Sequence, residues 1–143
     1  MKKLSQHQNS KKQGDAGLGD AIAYFTMNGY CVCVPLTDSQ PYDLIVDDGK
    51  LQRVQVKTAT YKTGYRHKKK DGTVVYYGDE LYDVGLSTKG GNTKVNTVKK
   101  LDRSKIDLLY ILTEEGERYL IPSDKLEATT SLRLGSRYDE FKI

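Results

Sequence analysis

Three side chains stand out by type and spacing: Asp43, Gln55 and Lys57. Asp43 sits near the start of the apolar run Tyr42-Asp43-Leu44-Ile45-Val46, and Gln55 and Lys57 alternate with valines in Val54-Gln55-Val56-Lys57-Thr58. Alternation on an extended chain places Gln55 and Lys57 on one face and the valines on the other. Between the two runs, Asp47-Asp48-Gly49-Lys50 carries the Asp-Gly signature of a hairpin turn, so the runs should lie side by side. A carboxylate, an amide oxygen and an ammonium group would then converge on one small volume. Groups of such different polarity are costly to bury without partners. A hard divalent cation seeking oxygen ligands accounts for the set. Spacing alone equally suits a half-exposed hairpin with a satisfied Gln and a Lys whose stem packs while its charge reaches water.

The elements that must position these residues follow from periodicity. Residues 1–13 are polar and read as a flexible arm, ahead of a single domain over 14–143. Asp15 is a candidate N-cap. Leu18, Ala21, Ile22, Phe25 and Met27 recur at mostly helical steps, and Asn28-Gly29 closes the helix. Tyr30 to Val34, Tyr42 to Val46, Leu51 to Thr58, Ile106 to Thr113 and Arg118 to Ile121 read as strands, and 123–127 as a short helix. Asp71-Gly72 between a lysine run and Thr73-Val74-Val75-Tyr76-Tyr77 marks a second, exposed hairpin, after which Leu81 to Ser87 is expected to return to the main sheet. Lys89 to Lys105 reads as loop, and the last fifteen residues give no clear signal. The fold class is therefore α+β or α/β with one mixed sheet.

A chain of 143 residues buries roughly two-thirds of its unfolded surface and needs no disulfide or structural metal to fold. The net charge of +4 is unevenly spread: residues 61–105 hold 11 basic and 5 acidic side chains, a net of +6. Clustered charge of this kind is the footprint of a phosphate-binding face, although a solvated loop would show the same. Cys31 and Cys33 lack metal-site spacing and are expected as buried small hydrophobes. No signal peptide and no membrane span is expected. A reducing cytoplasm suits the cysteine usage.

The stretch Pro41-Tyr42-Asp43-Leu44-Ile45-Val46 through Val54-Gln55-Val56-Lys57-Thr58-Ala59 resembles the core of the PD-(D/E)XK nucleases, in the form found in small group I intron homing endonucleases and their bacterial and phage relatives. Lys12-Gln13-Gly14-Asp15, Ala21-Ile22-Ala23-Tyr24-Phe25, Gly29-Tyr30, Pro35-Leu36-Thr37-Asp38 and Leu86-Ser87-Thr88-Lys89-Gly90-Gly91-Asn92 carry the same resemblance, which covers roughly residues 11–92. It implies a restriction-endonuclease-like core: a central mixed sheet flanked by helices, with an inserted basic hairpin. The motif's Asp falls on Asp43, its (D/E) position on Gln55 and its Lys on Lys57. Gln in that place is similar to a Gln-x-Lys variant of the family; it keeps an oxygen ligand and loses a charge. The family's helix-borne acid falls on Leu18, with Asp15 and Asp20 nearby as possible substitutes.

The resemblance implies a Mg²⁺- (or Mn²⁺-) dependent, site-specific endonuclease hydrolysing phosphodiester bonds in double-stranded DNA. Asp43, Gln55 and the Val56 carbonyl would hold the cation, and Lys57 would face the attacking water or the phosphate. Lys62, Arg66, His67, Lys68, Lys69 and Lys70 are candidate DNA contacts, as are Ser87 and Lys89. A short chain cutting two antiparallel strands suggests a homo-oligomer, dimer or tetramer; no nucleotide cofactor is expected. A junction-resolving nuclease of the same fold, and a DNA-binding module with a decayed centre, are the alternatives.

Overall fold

The computed structural model describes residues 1–89 and 98–143. One helix, α1 (Ser10–Met27), precedes a five-stranded mixed sheet of β1 (Cys31–Cys33), β2 (Leu44–Asp47), β3 (Leu51–Ala59), β8 (Leu108–Thr113) and β9 (Arg118–Pro122), in the order β1-β2-β3-β8-β9. All neighbours are antiparallel except β3 and β8, which run parallel, with Gln55 opposite Leu109 and Lys57 opposite Ile111. A second sheet joins β4 (Lys62–Lys68), β5 (Val74–Gly85) and β10 (Ser131–Arg133) in the order β10-β5-β4. The two-residue strands β6 (Thr88–Lys89) and β7 (Val98–Lys99) pair with each other.

The main sheet is a middle layer. On one face, Leu44, Val46, Val54, Leu108, Tyr110 and Leu112 pack with Ala21 and Phe25 of α1. On the other, Leu109, Ile111 and Ile121 pack with Tyr82, Val84 and Leu132 of the second sheet and with Leu134 just beyond it. Strand alternation produces both faces from single strands: β8 is buried along its whole length. α1 approaches β3 closely because residue 17 is Gly; a Cβ there would lie 2.5 Å from the Thr58 methyl group.

Several expectations are corrected. α1 starts at Ser10, and the side chain of Asn9 accepts the Lys12 N–H, so Asn9 and not Asp15 is the cap. Residues 1–13 are not a separate arm: Leu4 is buried in the α1-side core, Glu114 accepts hydrogen bonds from Ser5 N and Oγ, and residues 10–13 are the first turn of α1. The first turns of α1 are polar, so their helicity has no apolar periodicity to announce it. Gly17, Ala21 and Phe25 form the buried stripe, while Met27 is exposed. Cys31 and Cys33 are both exposed, because β1 is an edge strand and only Val32 faces the core. Leu81 to Gly85 continues β5 in the second sheet and does not enter the main one. The expected helix 123–127 is a single 3-10 turn, Ser123–Lys125, and the unassigned C-terminal stretch supplies β10.

Candidate active site

The site forms where two paired strands part. The β2–β3 ladder ends at Leu44 opposite Val54, extended by one further hydrogen bond from Asp43 N to Val54 O at 2.8 Å. Beyond that point Val56 has no strand partner on this side. The Asp43 carboxylate replaces it: Oδ2 accepts from Val56 N at 2.7 Å and from Gln55 Nε2 at 2.6 Å. A backbone donor left by the diverging ladder thus fixes the carboxylate in place.

Asp43, Gln55 and Lys57 are all half-buried. Burial pushes the Asp43 carboxyl above its usual range, partly offset by the Val56 N–H and the Lys57 charge. Burial likewise pulls Lys57 below the usual lysine value, partly offset by Asp43. The pair therefore holds opposite charges in a poorly solvated place, each supporting the other's ionised form.

Two clefts open on Asp43 and Gln55. The smaller, about 240 Å³, adds Val56 and the N-terminal half of α1: Ser10, Lys11, Gly14, Asp15 and Leu18. The larger, about 600 Å³, is walled by Asp38 to Pro41, Leu86, Lys99 to Asp102 and Lys105. Asp15 thus reaches the rim of the site. Asp20 lines neither cleft: it is engaged by β8 and β9, where Arg118 donates to it at 2.7 and 2.9 Å and the Tyr110 hydroxyl at 2.6 Å. Lys99, Lys100 and Lys105 do not stand out in the sequence; the only signal there is the basic excess of residues 61–105.

Arg66, His67, Lys68, Lys69 and Lys70 are exposed on the β4–β5 hairpin. Lys62, at its base, is ion-paired with Glu115 at 3.0 Å and lies over the Tyr82 ring. Ser87 is half-buried, its N–H bonded to Thr130 O, next to Leu86 in the wall of the larger cleft. Lys89 falls in β6, but its side chain, like the whole Gly90–Asn92 segment, lies outside the described residues.

The donors at Asp43 fit a hard divalent cation. They are a carboxylate, the Val56 carbonyl beside it, and the Gln55 amide, whose oxygen turns toward Asp43 by a simple flip. Among the described residues no three His, Cys, Asp or Glu side chains converge, so such a cation would lean on neutral oxygens and water.

A sequence model of the PD-(D/E)XK endonucleases matches residues 8–140. The chain belongs to that family. The PD-(D/E)XK nucleases generally use divalent metal ions, which agrees with the donor set at Asp43. The solved structure of a bacterial homing endonuclease, I-Ssp6803I, is similar over 94% of this chain and 88% of that one, with a TM-score of 0.69 at 21% identity. At that identity the likeness is one of fold, and it establishes the restriction-endonuclease-like architecture. No curated protein matches the chain. Among the described residues, no helix is long and apolar enough to cross a membrane.

Proposed function

We propose that this PD-(D/E)XK protein is a metal-dependent, site-specific endonuclease acting on double-stranded DNA, with Asp43, Gln55 and Lys57 at its centre. The observation that carries the reading is the Asp43 carboxylate, pinned by Val56 N and Gln55 beside a half-buried Lys57, in a cleft that Lys99, Lys100 and Lys105 line together with Asp38 and Asp102.

Asp43, the Val56 carbonyl and the Gln55 oxygen are the groups that would hold Mg²⁺ or Mn²⁺, with Asp15 lining the smaller of the two clefts on Asp43. A divalent cation bound there supplies Lewis-acid activation of phosphate and water. Lys57 places positive charge beside the attacking water and the phosphate oxygens, where negative charge develops. The diverging ladder prevents Asp43 from drifting as the substrate enters. Lys99, Lys100 and Lys105 attract the backbone at the cleft, while Arg66 and Lys68 to Lys70 contact it farther out. A two-stranded ribbon such as β4–β5 has the width to enter a major groove. Two antiparallel strands call for two sites, so we assign a homo-oligomer, dimer or tetramer.

Incubation of the purified chain with supercoiled plasmid bearing its target, with Mg²⁺ and with chelator, tests this reading. Nicked and linear products only with the cation support it. Duplex binding without cleavage in Mg²⁺ would overturn it in favour of a DNA-binding module with a decayed centre.

A further inference from the structure

The β4–β5 hairpin is joined to the domain through an irregular waist. Thr63 pairs with Leu81 and Tyr65 with Tyr77, so residues 78–80 of β5 face Gly64 alone. Such a bulge bends a ribbon and interrupts its ladder. Both waist glycines are structurally required: Gly78 has φ +78°, and a Cβ on Gly64 would lie 2.9 Å from Tyr77 O. Beyond the waist, a lone two-stranded ribbon has little stability of its own. Its bearing is therefore set by whatever ties the waist to the body.

One side chain bridges both strands of the waist itself. Arg133 comes from the third strand, β10, and its Nη2 donates to Thr63 O on one side of the waist and to Asp79 O, at 2.9 Å, on the other. Its guanidinium also lies 4.1 Å from the centroid of the Tyr65 ring, the first aromatic side chain past the bulge. The planar fork of Arg suits two divergent carbonyls and a ring face at once, where an ammonium would satisfy only part of the set. The arrangement forgoes a simpler one. Asp83 is the direct cross-strand partner of Arg133, yet Asp83 Oδ1 and Arg133 Nε and Nη1 are all buried without a partner among the described residues. Unpaired buried groups are destabilising, so stability alone does not select this geometry.

We propose that Arg133 is a positioning residue: it fixes the angle at which the basic ribbon leaves the domain and so seats duplex DNA over Asp43. The second half of this statement rests on the nuclease reading above; the first half does not.

The test uses two readouts. Nitroxide labels on Asp71→Cys at the hairpin tip and Asp124→Cys on the body, in a Cys31→Ser, Cys33→Ser background, report the ribbon's bearing. The parent should give one narrow distance distribution, and Arg133→Met should broaden it about twofold or more, as expected for an untethered ribbon. Cleavage at saturating duplex should fall about tenfold or more from misplacement of the bound DNA. Duplex affinity should stay within about threefold, because the phosphate-binding cations remain. Arg133→Lys should recover part of both losses, and Gly64→Ala should broaden the distribution by displacing Tyr77 instead. If Arg133→Met fails to fold, Arg133→Lys is read in its place, with a distribution broader than the parent's expected and an unchanged one overturning the proposal. An unchanged distribution, or a broadened one with parental cleavage, overturns the proposal. A parent that cuts no duplex removes the nuclease reading, while the distance measurement still decides the clamp.

Discussion

Gln55 Nε2 lies 2.6 Å from Asp43 Oδ2, so the residue standing at the family's second acidic position serves as a donor to the first acid. A carboxylate in its place would set two negative charges against each other. Gln55→Glu should therefore destabilise the metal-free protein at neutral pH, and added Mg²⁺ should restore it. Its Mg²⁺-dependent rise in Tm should exceed that of the parent by about 3–5 °C, the shift expected from ~1 kcal/mol in a domain of this size. Thermal melts across a Mg²⁺ titration check this; equal shifts in the two proteins would remove Gln55 from the cation site.

Lys57 offers a second prediction. Lys57→Met keeps the packed stem and removes the charge, so it should slow cleavage by about a hundredfold with little change in Tm, as loss of a positioned charged group does. Single-turnover rates at saturating DNA measure the effect. A rate near the parental one would mean that only the stem matters.

The basic residues divide by their present partners. Lys68, Lys69 and Lys70 have exposed side chains on the hairpin, whereas Lys62 is held by Glu115. Charge reversal at the three lysines should weaken binding to every duplex and flatten the log–log salt dependence by about 0.9 for each phosphate left without its cation. Reversal of Lys99, Lys100 and Lys105 should act in the same way and also lower the cleavage rate, because these line the cleft at Asp43. Binding isotherms from low to moderate salt, set beside cleavage rates, distinguish the two groups.

Asp20 is bonded to Arg118 and Tyr110, and its expected role is in stability. Burial pushes its carboxyl up, but hydrogen bonds from Arg118 and Tyr110 and the Arg118 charge outweigh this and hold it below the usual carboxylate value. A group whose folded value is depressed contributes stability above its unfolded value, and that stability is lost as pH falls through the folded one. Asp20→Asn should cost about 2 kcal/mol at neutral pH, as for hydrogen bonds to a charged group. The gap between parent and variant should close as pH falls below the ordinary Asp range. Denaturant melts from pH 7 to pH 2 check both the size and the sign.

The alternation around Gln55 and Lys57, and the Asp-Gly turn that folds them toward Asp43, are legible in the chain because both are local. What is not legible depends on neighbours distant in sequence. The exposure of Cys31 and Cys33 follows from β1 lying at the sheet edge, and strand order is not written in a Cys-Val-Cys triplet. By sequence alone Asp20 is available as a ligand; the fold engages it with Arg118 and Tyr110, nearly a hundred positions away. Lys99 to Lys105 have the polarity of a loop, and only the packed domain brings them to Asp43.

The most direct test of the central claim is the single-turnover rate of duplex cleavage by Asp43→Asn at saturating Mg²⁺. Asn keeps an oxygen to accept from Val56 N, so the local backbone is preserved and only the ionised carboxylate is lost. The rate should fall by at least about a hundredfold while duplex affinity holds or rises slightly, since a negative charge near phosphate has been removed. Cleavage by Asp43→Asn at the parental rate would contradict the assignment of this site.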